Sequence, residues 1–166
     1  MDYLKGMDQN AIILATAVEA DIPAMLSLFD DYAQRQLMLP RTEADLRVSL
    51  GNFVVAKSAG GVFVGAAALR PFGDGYFEVR SLAVARGFGN AGVGSRLVEA
   101  LLAKARALNP PARCVFALTK RPNLFRRLGF QLAFRERFPA KIWADCRLCP
   151  KYDQCDETAV EYRLDK

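Results

Sequence analysis

The nine residues from Arg86 to Gly94, Arg-Gly-Phe-Gly-Asn-Ala-Gly-Val-Gly, place four glycines between two apolar stretches of different period. Before them, Tyr76 to Val84 reads as a strand. After them, from Ser95, the apolar residues Leu97, Val98, Leu101, Leu102, Ala105 and Leu108 recur at helical spacing until Asn109-Pro110-Pro111 stops the helix. Glycine loses more conformational freedom on ordering than any other residue, so such a loop implies a use for its bare backbone. Strand, glycine loop and helix together aim free backbone N–H groups and the positive end of a helix dipole at an anion. The plainer alternative is a tight turn whose glycines supply positive φ and close helix packing.

The familiar phosphate loops fit poorly. A Walker loop ends in Gly-Lys-Ser/Thr, whereas this one ends Gly94-Ser95-Arg96 with no lysine. The letters of a dinucleotide fingerprint are present in Gly87-Phe88-Gly89-Asn90-Ala91-Gly92. That fingerprint belongs after the first strand of a βαβ unit, however, with an acidic residue closing the second strand. Here three strands precede the Tyr76–Val84 strand that leads into the loop, and the strand after the loop's helix, Cys114 to Leu118, runs into Thr119-Lys120.

Those preceding strands are Ile12 to Thr16 and the two runs Asn52 to Lys57 and Val62 to Leu69, the latter pair a hairpin around Ser58-Ala59-Gly60-Gly61. Asp21-Ile22-Pro23 caps and opens a helix through Met25, Leu26, Leu28, Phe29 and Tyr32. Thr42 and Asp45 resemble a capping arrangement for a second short helix with Leu46 and Leu50 on one face. Asn123 to Leu128 predicts a short helix ended by Gly129, Phe130 to Phe134 a strand, and Ala159 to Leu164 a closing strand. Residues 1–10 read as a tail and 141–158 as an irregular, cysteine-bearing segment. The pattern predicts one α+β domain over residues 1–166, built on a mixed sheet.

Composition narrows the chemistry. The chain has no histidine, which removes every mechanism that needs an imidazole base or ligand. The formal charge of +5 suits a phosphate-bearing ligand, but the positive charges are spread out, with no basic tail and no aromatic-basic repeat, so nucleic acid is not an expected partner. No apolar run reaches the ~20 residues of a membrane span, and Met1 to Lys5 lacks a signal-peptide pattern, which makes a cytoplasmic location the default expectation. Cys146, Cys149 and Cys155 cluster near the end, away from Cys114. Three thiolates would need a carboxylate such as Asp145, Asp153 or Asp156 to complete a zinc site. The preferred reading has no metal: buried thiols pin the segment, with Trp143 as its apolar anchor.

Glu78-Val-Arg-Ser-Leu-Ala-Val84, Gly92-Val-Gly94-Ser-Arg-Leu97 and Leu128-Gly-Phe130 resemble the GNAT acyltransferases, whose pattern is Arg/Gln-x-x-Gly-x-Gly/Ala after the fourth strand. Within that superfamily, Leu39-Pro-Arg41, Arg80 to Val84, Val115 to Thr119, Lys141 to Pro150 and Cys155-Asp-Glu157 are similar to the single-domain N-acetylglutamate synthases, from about Ile12 to Leu164. The resemblance implies a mostly antiparallel central sheet flanked by helices, with acetyl-coenzyme A as cosubstrate. It also implies a small-molecule amine acceptor, L-glutamate first, with another amine or a non-catalytic coenzyme-binding module as alternatives. A homodimer is left open.

Residue by residue, the resemblance places coenzyme on Leu82, Ala83 and Val84 and on Gly89, Asn90, Ala91, Gly92, Val93, Gly94 and Ser95, largely through backbone groups. Gly89 stands where the pattern has Arg or Gln. Phe125 stands where many members carry a tyrosine that protonates the leaving thiolate; a thiol of ordinary pKa ~8.5 is a fair leaving group without it. Transfer to an amine needs the amine deprotonated, and without histidine the base is a carboxylate, a tyrosine or a water chain. Glu78 occupies the family's usual position for a base; the alternative is a strand-end carboxylate facing solvent or pairing with Arg80. Arg41 and Arg80 are the expected partners of the acceptor's carboxylates, with Lys120 and Arg121 in support. Their plainer alternatives are a helix-edge surface arginine for Arg41 and a cross-strand salt bridge for Arg80.

Overall fold

A computed structural model describes residues 11–89 and 92–165. The strands are β1 (Ile12–Thr16), β2 (Phe53–Ser58), β3 (Phe63–Pro71), β4 (Tyr76–Val84), β5 (Cys114–Thr119), β6 (Gln131–Ala133) and β7 (Thr158–Arg163). The α-helices are α1 (Ile22–Gln34), α2 (Glu43–Val48), α3 (Val93–Ala107), α4 (Pro122–Arg127) and α5 (Pro139–Ala144). The strands lie in the order β1-β2-β3-β4-β5-β7-β6. The β1–β2, β2–β3, β5–β7 and β6–β7 ladders are antiparallel and β4–β5 is parallel: the mixed sheet that the pattern predicts, mostly antiparallel as the resemblance implies. Among the described residues no helix is long and apolar enough to cross a membrane.

The chain divides into two compact units. The first holds the described residues up to Ala68 and Ser81–Ala100. Its core joins Ile22, Met25 and Phe29 of α1 to Leu46 of α2, Phe53 and Val55 of β2, and Ala66 and Ala68 of β3. The Phe29 and Phe53 ring centroids are 5.9 Å apart. The middle of β3 is buried without interruption, Gly-Ala-Ala-Ala, because small residues let a helix approach a strand closely. A Cβ on Gly65 would stand 2.9 Å from the Ala83 carbonyl oxygen, 3.3 Å from Leu97 and 3.4 Å from Val93. Helix α2 begins as predicted, with the Thr42 hydroxyl accepting from the Asp45 N–H, although Leu50 falls in a separate 3-10 turn. Asp21 does not cap α1 through its side chain. Its carboxylate instead accepts from the Val18 N–H at 2.9 Å and pairs with Lys57 at 2.7 Å.

The second unit holds Leu69–Arg80 and the chain from Leu101 on. Its core is aromatic: Phe116 of β5 stacks on Phe138, centroids 4.1 Å apart and planes within 6°. Phe72 lies 5.7 Å from Phe116 and Tyr76 lies 6.4 Å from Phe138. Gly129, at φ +99°, ends α4 in the left-handed region where a Cβ is disfavoured.

Three expectations are corrected here. The segment 141–158 is not wholly irregular, because Pro139 opens α5 with Lys141 in it. Trp143 is no apolar anchor either: it is 69% exposed, with the Arg147 guanidinium over its ring. Nor are the three thiols all buried, since Cys149 is half-buried and Cys155 exposed. What holds the segment is Phe138 on Phe116 together with the ion pairs of Lys141 and Asp145.

Candidate active site

Helix α3 starts at Val93, two residues earlier than its apolar period suggests, so Val93, Gly94 and Ser95 belong to its first turn. The Arg96 N–H donates to the Gly92 carbonyl, which leaves the N–H groups of Val93, Gly94 and Ser95 ahead of the intrahelical ladder. Gly87 and Gly92 have φ of +91° and +75°, and a Cβ at Gly87, Gly89 or Gly92 would meet nothing within 4 Å. The glycines of this loop therefore serve backbone conformation and an open face, in contrast to Gly65. Asn90 and Ala91, expected coenzyme contacts, lie outside the described residues. Arg86, at the head of the loop, pairs with Asp31 at 2.8 Å.

The same unit contains the far end of β4. Ser81 has φ +55°, a left-handed conformation that is strained for a residue with a side chain and that breaks the regular pleat. Its hydroxyl accepts from Arg41 Nη1 at 2.6 Å, while Arg41 Nε donates to Asp45 and the guanidinium lies over the Phe53 ring. Arg41 is thus an 8% exposed side chain, not a surface arginine at a helix edge. The Val84 N–H donates to the Tyr32 hydroxyl at 2.9 Å, which in turn faces the Val84 carbonyl at 3.1 Å.

In the second unit, β4 pairs with β5 only through Tyr76, Phe77 and Glu78. Beyond Glu78 the parallel ladder ends. Glu78 is 2% exposed, which removes the solvent-facing alternative. Its Oε2 receives Lys141 Nζ at 2.7 Å, whereas Arg80 Nε stands 3.8 Å from Oε1, and Oε1 has no hydrogen-bond partner among the described residues. Lys141 also reaches Asp145 Oδ2 at 2.9 Å, and that oxygen accepts from Arg70 and lies 3.7 Å from Arg80 Nη1. Burial pulls the Lys141 ammonium down, but Glu78 and Asp145 more than offset it, and the net direction is up. Burial likewise pushes Asp145 up, and Lys141, with Arg80 and Arg70, brings it below the ordinary aspartate value.

The structure brings the expected pair Glu78 and Arg80 into one cluster and adds Lys141, Asp145 and Arg70. The sequence does not single out these three for an acceptor site; Asp145 enters it only as a carboxylate that could complete a zinc site, and Lys141 only within the stretch Lys141 to Pro150. The usable signal was Pro139 as a helix opener, which puts Lys141 and Asp145 one turn apart. Lys120 pairs with Asp156 at 3.1 Å, and the Arg121 N–H donates to Thr119 Oγ1 at the entry to α4. Phe125 is 2% exposed and packs edge-on against Phe130. No group of three or more metal-capable side chains gathers among the described residues.

Residues 49–132 match the family model described as "Acetyltransferase (GNAT) domain". The chain is 37% identical over 141 residues to an uncharacterized N-acetyltransferase of Chlorobaculum tepidum, covering 85% of this chain and 89% of that protein. The chain belongs to the GNAT acetyltransferase family. An amino-acid acetyltransferase of Azotobacter vinelandii is 32% identical over 76% of this chain, which spans only 29% of that protein. Among solved structures, N-acetylglutamate synthase from Neisseria gonorrhoeae, complexed with coenzyme A and N-acetyl-glutamate, superimposes with a TM-score of 0.80 at 25% identity. The match covers 94% of this chain and 36% of that one. As a GNAT acetyltransferase this chain is an enzyme that uses acetyl-coenzyme A as acyl donor.

Proposed function

We propose that the chain transfers the acetyl group of acetyl-coenzyme A to the α-amino group of L-glutamate by direct attack. The observation that carries this reading is the buried Glu78 carboxylate, whose Oε1 has no hydrogen-bond partner among the described residues and suits a substrate ammonium, in one cluster with Arg70, Arg80 and Lys141, which suit a substrate carboxylate. The names of the Azotobacter and Neisseria relatives support it.

In this reading the backbone N–H groups of Val93, Gly94 and Ser95, at the start of a 15-residue helix, hold the coenzyme pyrophosphate, with Gly89 and Gly92 keeping side chains out of its way. Acetyl-coenzyme A supplies the activated acyl carbon. Released from β5, the β4 backbone at Leu82 and Ala83 presents donors to the thioester oxygen, and the strained Ser81 sets their direction. Glu78 takes the ammonium proton, directly or through one water. Arg41, fixed by Asp45 and Ser81, is the further arginine assigned to an acceptor carboxylate. The absence of a hydroxyl at Phe125 leaves the thiolate to depart unassisted or to take its proton from water.

The test is free-thiol release from acetyl-coenzyme A across a panel of amino acids. Glutamate-dependent release is expected, and Glu78→Gln should lower turnover by about 10²-fold or more and shift the rate–pH profile. Release with other amines alone, or an unchanged profile in Glu78→Gln, refutes the acceptor or the base respectively.

A further inference from the structure

Asp145 has no part in the chemistry just described, yet its Oδ2 is the focus of three cations: Arg70 from the end of β3, Arg80 from β4 and Lys141 from α5. Glu78 and Asp145 are the carboxylates in direct ion-pair reach of these cations, and Glu157 lies near enough to feel both Lys141 and Glu78. Cations drawn from three segments onto one carboxylate oxygen form the surroundings that a ligand carboxylate seeks. Beside them Glu78 offers a buried acceptor, Oε1, with no hydrogen-bond partner among the described residues. An unmade hydrogen bond on a buried charge is costly and marks a place where a ligand donor belongs. An α-amino acid, ammonium beside carboxylate, complements both halves.

We propose that Asp145 is an internal stand-in for the acceptor's carboxylate, occupying the Arg70–Arg80–Lys141 site in the free enzyme and leaving it when the amino acid binds. The proposal rests on the reading that the acceptor is an amino acid. Asp145 is placed to leave. It follows Ala144, the last residue of α5, and its side chain is 17% exposed, so a rotamer change carries the carboxylate outward without unwinding the helix. Its backbone N–H bond to the Lys141 carbonyl can persist through that change. Held below the ordinary aspartate value, Asp145 is anionic at neutral pH and competes with every acceptor. Apparent acceptor affinity is then reduced by the fraction of enzyme in which the site is open. Amines without a carboxylate cannot expel Asp145, which makes it a determinant of specificity.

The experiment uses the full chain and its Asp145→Asn variant. Glutarate, which carries carboxylates but no amine, serves as the probe in calorimetry with no turnover. Glutarate should bind the variant about 3- to 10-fold more tightly than the wild type, and KM for the accepted amino acid should fall by a similar factor with KM for acetyl-coenzyme A unchanged. Equal or weaker glutarate binding by the variant overturns the proposal and makes Asp145 a part of the scaffold. In the wild type, saturating glutarate should shift the ¹³C titration of the Asp145 carboxyl toward that of an exposed aspartate; no shift overturns the proposal even if the variant fails to fold. An enzyme that acetylates an amino acid other than glutamate refutes the glutamate reading but leaves this measurement intact.

Discussion

Replacing Lys141 by methionine keeps the length of the side chain and removes its charge from the buried carboxylate of Glu78. The two side chains are 13% and 3% exposed and lie 2.7 Å apart. Removing one partner of a buried pair leaves the other uncompensated and costs roughly 3–5 kcal/mol. Arg80 remains 3.8 Å from Oε1, which places the expected loss near the lower end, about 3 kcal/mol. For a chain of this size that lowers the unfolding midpoint by roughly 6–12 °C. Urea titration of the wild type, Lys141→Met, Glu78→Gln and the double variant supplies the assay. Glu78→Gln should recover about 2 kcal/mol in the methionine background, because no buried charge is then left unpaired.

The pH dependence has a definite sign. Lys141 titrates above the ordinary lysine value of 10.5 in the folded chain. Its contribution to stability is therefore complete below that value and is lost as pH rises through the higher folded one. The gap between wild type and Lys141→Met should close on that alkaline side, and also in acid as Asp145, which Lys141 helps hold below the ordinary aspartate value, becomes protonated. A loss under about 1 kcal/mol with additive single and double variants would refute the pairing argument.

Gly65→Ala should destabilise the chain by about 1–3 kcal/mol in the same titration, because its Cβ would stand 2.9 Å from a backbone oxygen that cannot yield cheaply; an unchanged midpoint counts against the close packing of β3. In alkylation followed by mass spectrometry at pH 8, exposed Cys155 should react first. Cys114, fully buried and with burial and Glu161 pushing its thiol up to about 11, should react only on unfolding, and comparable rates for the two would contradict its placement.

Much of the fold was legible locally. The strand Tyr76–Val84 is legible to its ends, because turn residues on one side and glycines on the other bound an apolar run. The apolar period places the start of α3 two residues late, since the first turn of a helix is set by which N–H groups go unpaired, and Val93-Gly94 carry no period that reports it. The site was half legible: Glu78 and Arg80 stood out because they lie two apart on one strand, while Lys141, Asp145 and Arg70 belong to a short helix and a strand end distant in sequence. Trp143 misled for a physical reason, in that a large aromatic is more often buried than not, yet here an arginine covers its ring at the surface.

What the sequence determined by itself is local: element types, the glycine loop ahead of a helix, and the exclusion of histidine chemistry. These follow from backbone preference and side-chain inventory, which need no partner. What only the tertiary structure decided is the pairing of charges. A buried carboxylate must find its counter-charge in three dimensions, and β4, β3 and α5 bring Lys141 to Glu78, and Arg70 to Asp145, across gaps that no sequence period encodes.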